Sequence, residues 1–202
     1  MEEKLILSKK LFIEKKKNKI IMVNLILVCI AIAIFLAYNI AFISKFGFIW
    51  SLSNSYYYYE GVKKGLGTLF TAMMFVVSLL LMPAWIDITE RITEWSHYLT
   101  ILPFLGAASI TFVGAAPNFR SCKMENIVHT VAAGCAAAFS LIWVAVVCYK
   151  ICWLIPLWVL IIGGLAHLTK SHKTATDYWL EMIAFGATFS AILIETIILM
   201  PN

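Results

Sequence analysis

Six stretches of this chain approach the length and apolarity needed to cross a lipid bilayer as helices: residues 20–43, 67–86, 98–116, 127–149, 151–168 and 178–200. A hydrocarbon core of roughly 30 Å needs about 20 helical residues. None of the six carries a charge in its central third. Within lipid every backbone donor and acceptor must be satisfied internally, which leaves helices or closed barrels. A barrel would show short alternating strands of about 10 residues, and no such alternation occurs. The expected fold is all-α: a polytopic membrane protein built as a six-transmembrane-helix bundle. Residues 1–19 form a basic tail, and 20–202 form one domain.

Composition closes off the alternatives. Hydrophobic residues make up 62% of the 202 positions and charged residues 13%, against about 45–50% and about 25% in soluble domains. One soluble core of this size cannot hide that much apolar surface. A disordered or collagen-like chain is excluded on the same grounds.

Charge is concentrated at one place. Lys4, Lys9, Lys10, Lys15, Lys16, Lys17 and Lys19 precede the first apolar stretch, offset by Glu2, Glu3 and Glu14, and the whole chain carries +5. Such a tail orients a membrane protein and touches anionic headgroups. Nucleic acid is not an expected partner, because the tail has no arginine and no interleaved aromatics. Six crossings put both termini on one side. The tail lysines abut the first helix, which usually dominates orientation, so the termini are expected inside. The loops alone carry more positive charge on the opposite side.

Prolines mark helix ends. Pro83 falls near the end of the second stretch, Pro103 near the start of the third, Pro117 after it and Pro201 after the sixth. Pro156 predicts that the fifth helix starts near Trp153, because proline is tolerated in a first turn. Residues 148–153 then form a tight turn. Tyr56–Tyr59, after the polar run Ser51–Ser55, suit an interfacial aromatic belt.

Lipid offers helices no hydrophobic drive to associate, so small residues are expected at contacts. Gly134 with Ala138, Gly186 with Ser190 and Ala187 with Ala191 make such pairs, and Gly106 and Gly114 mark the third stretch. The third, fourth and sixth helices are therefore expected at the core, and the bulky first helix outside.

Ionisable groups within membrane spans are costly, and they are the first candidates for function. Parity of crossing places the loops 44–66, 117–126 and 169–177 at one end. His129, His167 and Glu181 are expected near that end, each about one turn from the interface, as a candidate polar pocket. Glu125 and Asp177 are secondary candidates there, and Glu195 is the deepest carboxylate toward the other end. Two imidazoles, a carboxylate and a water would suit zinc, or the trio could relay protons. The same residues also read as helix ends solvated by headgroups, and Asp177 and Glu181 suit a helix N-terminus. Apart from zinc at that trio, no cofactor is expected. Asp87, Glu90, Arg91, Glu94 and His97 read as a solvated linker. Cys29, Cys122, Cys135, Cys148 and Cys152 do not form a paired framework. No nucleophile motif or phosphate loop is present in the sequence.

Ser53, Ser55, Tyr56 and Tyr57, the run from Phe112 through Gly114 and Pro117 to Phe119, and His129 with Ser140 and Trp143 carry a resemblance. The chain resembles small six-helix bacterial membrane proteins of the Bacteroides type. It is similar in layout, more distantly, to the DRAM and Sfk group linked to lipid and membrane organisation. The resemblance implies a bacterial inner-membrane location and a six-helix fold, and transfers no catalytic residue. Three function classes follow. The favoured one is a non-enzymatic bundle that binds lipid, a small molecule or a partner. The others are a small transporter or channel using the His/Glu layer, and a metal-dependent intramembrane hydrolase.

Overall fold

The computed structural model describes residues 2–117 and 119–200, with the side chains of 2–11, 13, 96 and 97 excepted. Glu2, Glu3, Lys4, Lys9, Lys10, His97 and Pro201, all used above, therefore lie outside what is described, in whole or in their side chains. Among the described residues the chain is helical, without strands. The helices are α1 (Glu2–Phe46), α2 (Ser55–Val62), α3 (Thr68–Ile92), α4 (Ser96–Leu99), α5 (Ile101–Ala115), α6 (Lys123–Val146), α7 (Leu154–Leu168) and α8 (Thr176–Ile198). Short 3-10 turns cover Leu52–Asn54 and Tyr149–Ile151.

Five helical segments are long and apolar enough to cross a membrane: Glu14–Phe46, Thr68–Ile92, Lys123–Val146, Tyr149–Leu168 and Thr176–Ile198. The third stretch of the sequence differs. It yields α5, only 15 residues long and about 22 Å at 1.5 Å per residue. Pro103 sits at its third position and Pro156 at the third of α7, both first-turn sites where a missing N–H costs nothing. The turn expected over 148–153 is there. Pro83 does not end its helix: α3 runs nine residues beyond it, to Ile92, so Asp87, Glu90 and Arg91 are helical and not part of a linker.

The packing overturns one expectation and divides another. The first helix is not outside. Ile21, Asn24, Val28, Ala31, Phe35, Asn39 and Phe42 are all buried. Their spacing of three and four makes one continuous seam along α1, packed on α3 and α8. Of the bulky residues that made α1 look lipid-like, Ile26, Ile30 and Leu36 lie on its other faces and are exposed, whereas Val28 and Phe35 belong to the seam.

The middle of the bundle is α3, which touches α1, α5 and α8. Phe70, Met74, Val77, Leu81, Trp85 and Ile88 form its buried stripe. Trp85 meets Trp143 of α6 edge to face at 5.5 Å. The Trp143 indole N–H donates to Thr89 Oγ1 at 2.8 Å, so the largest buried ring of α6 is held by the central helix. By contrast α7 packs chiefly on α8 and leaves Leu160, Leu165 and Leu168 bare.

Small residues divide in the same way. A Cβ built on Gly106 would come within 2.6 Å of Trp85, on Gly114 within 2.9 Å of Met74, and on Gly186 within 2.5 Å of Trp158. Those glycines of α5 and α8 admit a neighbour, as expected. Gly134 has nothing within 4 Å, and both it and Ala138 are exposed. The small-residue run of α6 is not the centre of the bundle. Its alanines instead leave space inside.

Candidate functional site

The segment between α1 and α2 makes the site. Phe46 ends α1, and Gly47 turns the chain at φ 74°. The next residues turn back into the bundle, where Ile49, Ser51, Leu52, Ser53, Asn54 and Ser55 are all buried. So many buried polar groups need partners: Ser51 and Ser53 share a hydroxyl hydrogen bond of 3.1 Å, and several others are met from distant helices. Trp50 C=O accepts the Tyr178 N–H at 2.7 Å. Leu52 N–H donates to Glu181 Oε2 at 2.6 Å. Tyr38 and Ser55 share a hydroxyl hydrogen bond of 2.6 Å, and Tyr178 O–H donates to Asn39 Oδ1 at 3.1 Å.

Arg120 joins from the loop after α5. Its Nη2 donates to Asn54 Oδ1 at 2.7 Å, its backbone N–H donates to the Tyr57 hydroxyl at 2.8 Å, and its guanidinium lies 4.8 Å from the Tyr57 ring centre. The tyrosines are therefore not a simple aromatic belt. Tyr57 orders Arg120, Tyr59 is buried against Phe42, and Tyr58 is the more exposed neighbour. Burial, then the charges of Glu60, Tyr57 and Glu125, raise the Tyr56 phenol above its ordinary pKa.

These contacts border an open chamber of about 370 Å³ with mixed polar and apolar walls. Its walls include Trp50, Arg120, His129, Asp177 and Glu181. His129 is 6% exposed. Its ring stacks on Phe119 at 4.4 Å, and its Nδ1 lies 3.1 Å from the Ala116 carbonyl. A carbonyl can only accept, so Nδ1 carries the proton. Asp177 is half-buried in the first turn of α8, where a negative charge complements the helix dipole.

A second, smaller cleft of about 60 Å³ adjoins the chamber, and Ser53, Ala133 and Glu181 are walls of both. It runs between α3, α5, α6 and α8, past Met74, Ala136, Ala137, Phe185 and Phe189. The alanines of α6 make this space, since larger side chains there would fill it. The arrangement suits one amphipathic molecule, with polar groups at the mouth and a slim apolar channel below.

The trio expected to form a pocket is not assembled. His129 and Glu181 share the chamber, whereas His167 is exposed outside it, with its ring 5.6 Å from that of His172. The physical reason is rotation about the axis of α7, which turns His167 away from the bundle. Among the described residues no three His, Cys, Asp or Glu side chains gather where they could hold a metal ion. Asp177 does join the chamber. Glu125 is half-buried in the first turn of α6 and is not a chamber wall. Glu195 is buried, but it lies 14 residues beyond Glu181, about 21 Å along α8, and lines neither cavity.

Sequence reasoning passed over Trp50, Asn54, Phe119 and Arg120 as site residues. A polar run of serines and asparagine between two apolar helices was the available signal, because buried serines in such a place need partners. Compared with protein-family models, with curated proteins and with solved structures, the chain gives no match.

Proposed function

We propose that this chain is an integral membrane protein that holds an amphipathic small molecule, a single-chain lipid in form, and does no chemistry on it. The head group occupies the chamber and the chain enters the cleft. The observation that carries this reading is the shared wall: Ser53, Ala133 and Glu181 belong to both cavities. Asp177 offers negative charge, Arg120 offers positive charge and Glu181 a polar carboxyl group, so a zwitterionic head complements the chamber. The cleft is small and mostly apolar, which suits one unbranched chain.

In this reading α5 is the sixth crossing. It is short, but it lies between α3 and α6, where a locally thinned bilayer accommodates it. Both termini face the cytoplasm, and the tail lysines of α1 rest on anionic headgroups. The location that fits is the inner membrane of a bacterium.

The test uses the purified full chain in detergent, stripped of lipid and titrated with a saturated lysophosphatidylcholine while tryptophan fluorescence is followed. Saturable binding is expected, and Ala137→Phe, which fills the cleft, should abolish most of it. Equal binding by wild type and Ala137→Phe, or no saturable binding by wild type, would overturn the reading.

A further inference from the structure

Tryptophans inside this bundle find hydroxyl partners for their indole N–H. Trp143 donates to Thr89, Trp158 to Ser190 and Trp179 to Ser171. Trp85 is the exception: it is fully buried, and its Nε1 has no partner. Helical threonines here have their own habit, handing the hydroxyl to the carbonyl four residues back. Thr89, Thr111 and Thr196 all do so. Thr188 does not. It is 3% exposed, and its Oγ1 has no partner. Both exceptions line the same cleft, whose walls are otherwise mostly apolar.

A buried donor left unmade is costly, and two of them in one cleft mark where a ligand's oxygen belongs. We infer that the molecule held in the cleft is not a plain hydrocarbon chain but carries a hydroxyl or carbonyl oxygen within its apolar part, received by Trp85 Nε1–H and Thr188 Oγ1. This rests on the amphiphile reading above and names the chemical class more closely. Thr188 lies seven residues beyond Glu181 on α8, so the oxygen sits about 10 Å below the head group. The indole can only donate and the threonine hydroxyl can do either, so a carbonyl or a hydroxyl satisfies both.

The experiment titrates the purified full chain in detergent with saturated lysophosphatidylcholine and with its positional isomers bearing one mid-chain hydroxyl. One isomer should bind roughly tenfold tighter than the plain chain, and isomers with the hydroxyl nearer or farther from the head should not. Thr188→Val keeps the side-chain shape, and Trp85→Phe keeps an aromatic ring. Each should shrink the preference, and both together should erase it. Thermal unfolding checks that each variant is folded. If Trp85→Phe does not fold, Thr188→Val alone decides. Equal binding of plain and hydroxylated chains by wild type, as a trapped water would give, overturns this inference and leaves the amphiphile reading standing. A preference that survives Thr188→Val unchanged also overturns it. If no chain binds at all, both readings fall.

Discussion

Leu52 and Glu181 lie 129 positions apart, and the backbone N–H of one donates to the carboxylate of the other at 2.6 Å. That bond ties the segment after α1 to the first turns of α8 and forms the wall common to chamber and cleft. Glu181→Gln keeps an acceptor and should leave the fold nearly unchanged. Glu181→Leu leaves the Leu52 amide buried without a partner, at a cost of about 1–3 kcal/mol. Hydrogen exchange at residues 51–55 should speed up in Glu181→Leu and not in Glu181→Gln. Equal protection in both would show that the loop is held by its other contacts.

Gly186→Val should destabilise the protein by about 1–3 kcal/mol, since its Cβ would collide with Trp158. Gly134→Val should stay within about 0.5 kcal/mol, because nothing lies near its Cβ. Thermal unfolding of the two variants in one detergent gives the comparison. A larger loss at Gly134 would mean that another molecule covers that face of α6.

Thr89→Val removes the acceptor that Trp143 Nε1–H uses at 2.8 Å in the interior. A loss of about 1–3 kcal/mol is expected. Thr89→Ser restores the hydroxyl and should recover most of it. Chemical denaturation followed by fluorescence measures both.

At the other end of α3, Asp87 accepts from Asn24 Nδ2 at 3.0 Å and from Arg91 Nε at 2.8 Å. Both members of the Asp87–Arg91 pair are largely shielded, with side chains 20% and 12% exposed, and Arg91 Nη1 is already without a partner. Asp87→Leu therefore strands a mostly buried guanidinium and should cost about 2–4 kcal/mol. The double variant Asp87→Leu with Arg91→Leu should recover part of that loss, because it removes the unpaired charge. Thermal unfolding of the single and double variants would expose a purely solvated role, in which the single change costs under about 0.5 kcal/mol.

Some of this molecule was legible in the sequence by itself. Long runs of apolar residues without central charges dictate helices, because a 3.6-residue helix satisfies its own backbone wherever water is absent. Pro156 marked the start of α7, and Gly106, Gly114 and Gly186 marked close approaches. The seam of α1 was also present, at residues 21, 24, 28, 31, 35, 39 and 42, but uniformly apolar neighbours masked it. When every face of a helix is hydrophobic, composition cannot tell the packed face from the bare one. Only the tertiary structure decided the rotation of each helix about its own axis. That rotation turned His129 and Glu181 into the chamber and His167 out of it. It placed the alanines of α6 around a cleft instead of at a tight contact, and it joined Leu52 to Glu181. Depth along a helix follows from counting residues, since the rise per residue is constant. Facing depends on which side chains meet across the bundle, and those partners come from distant parts of the chain.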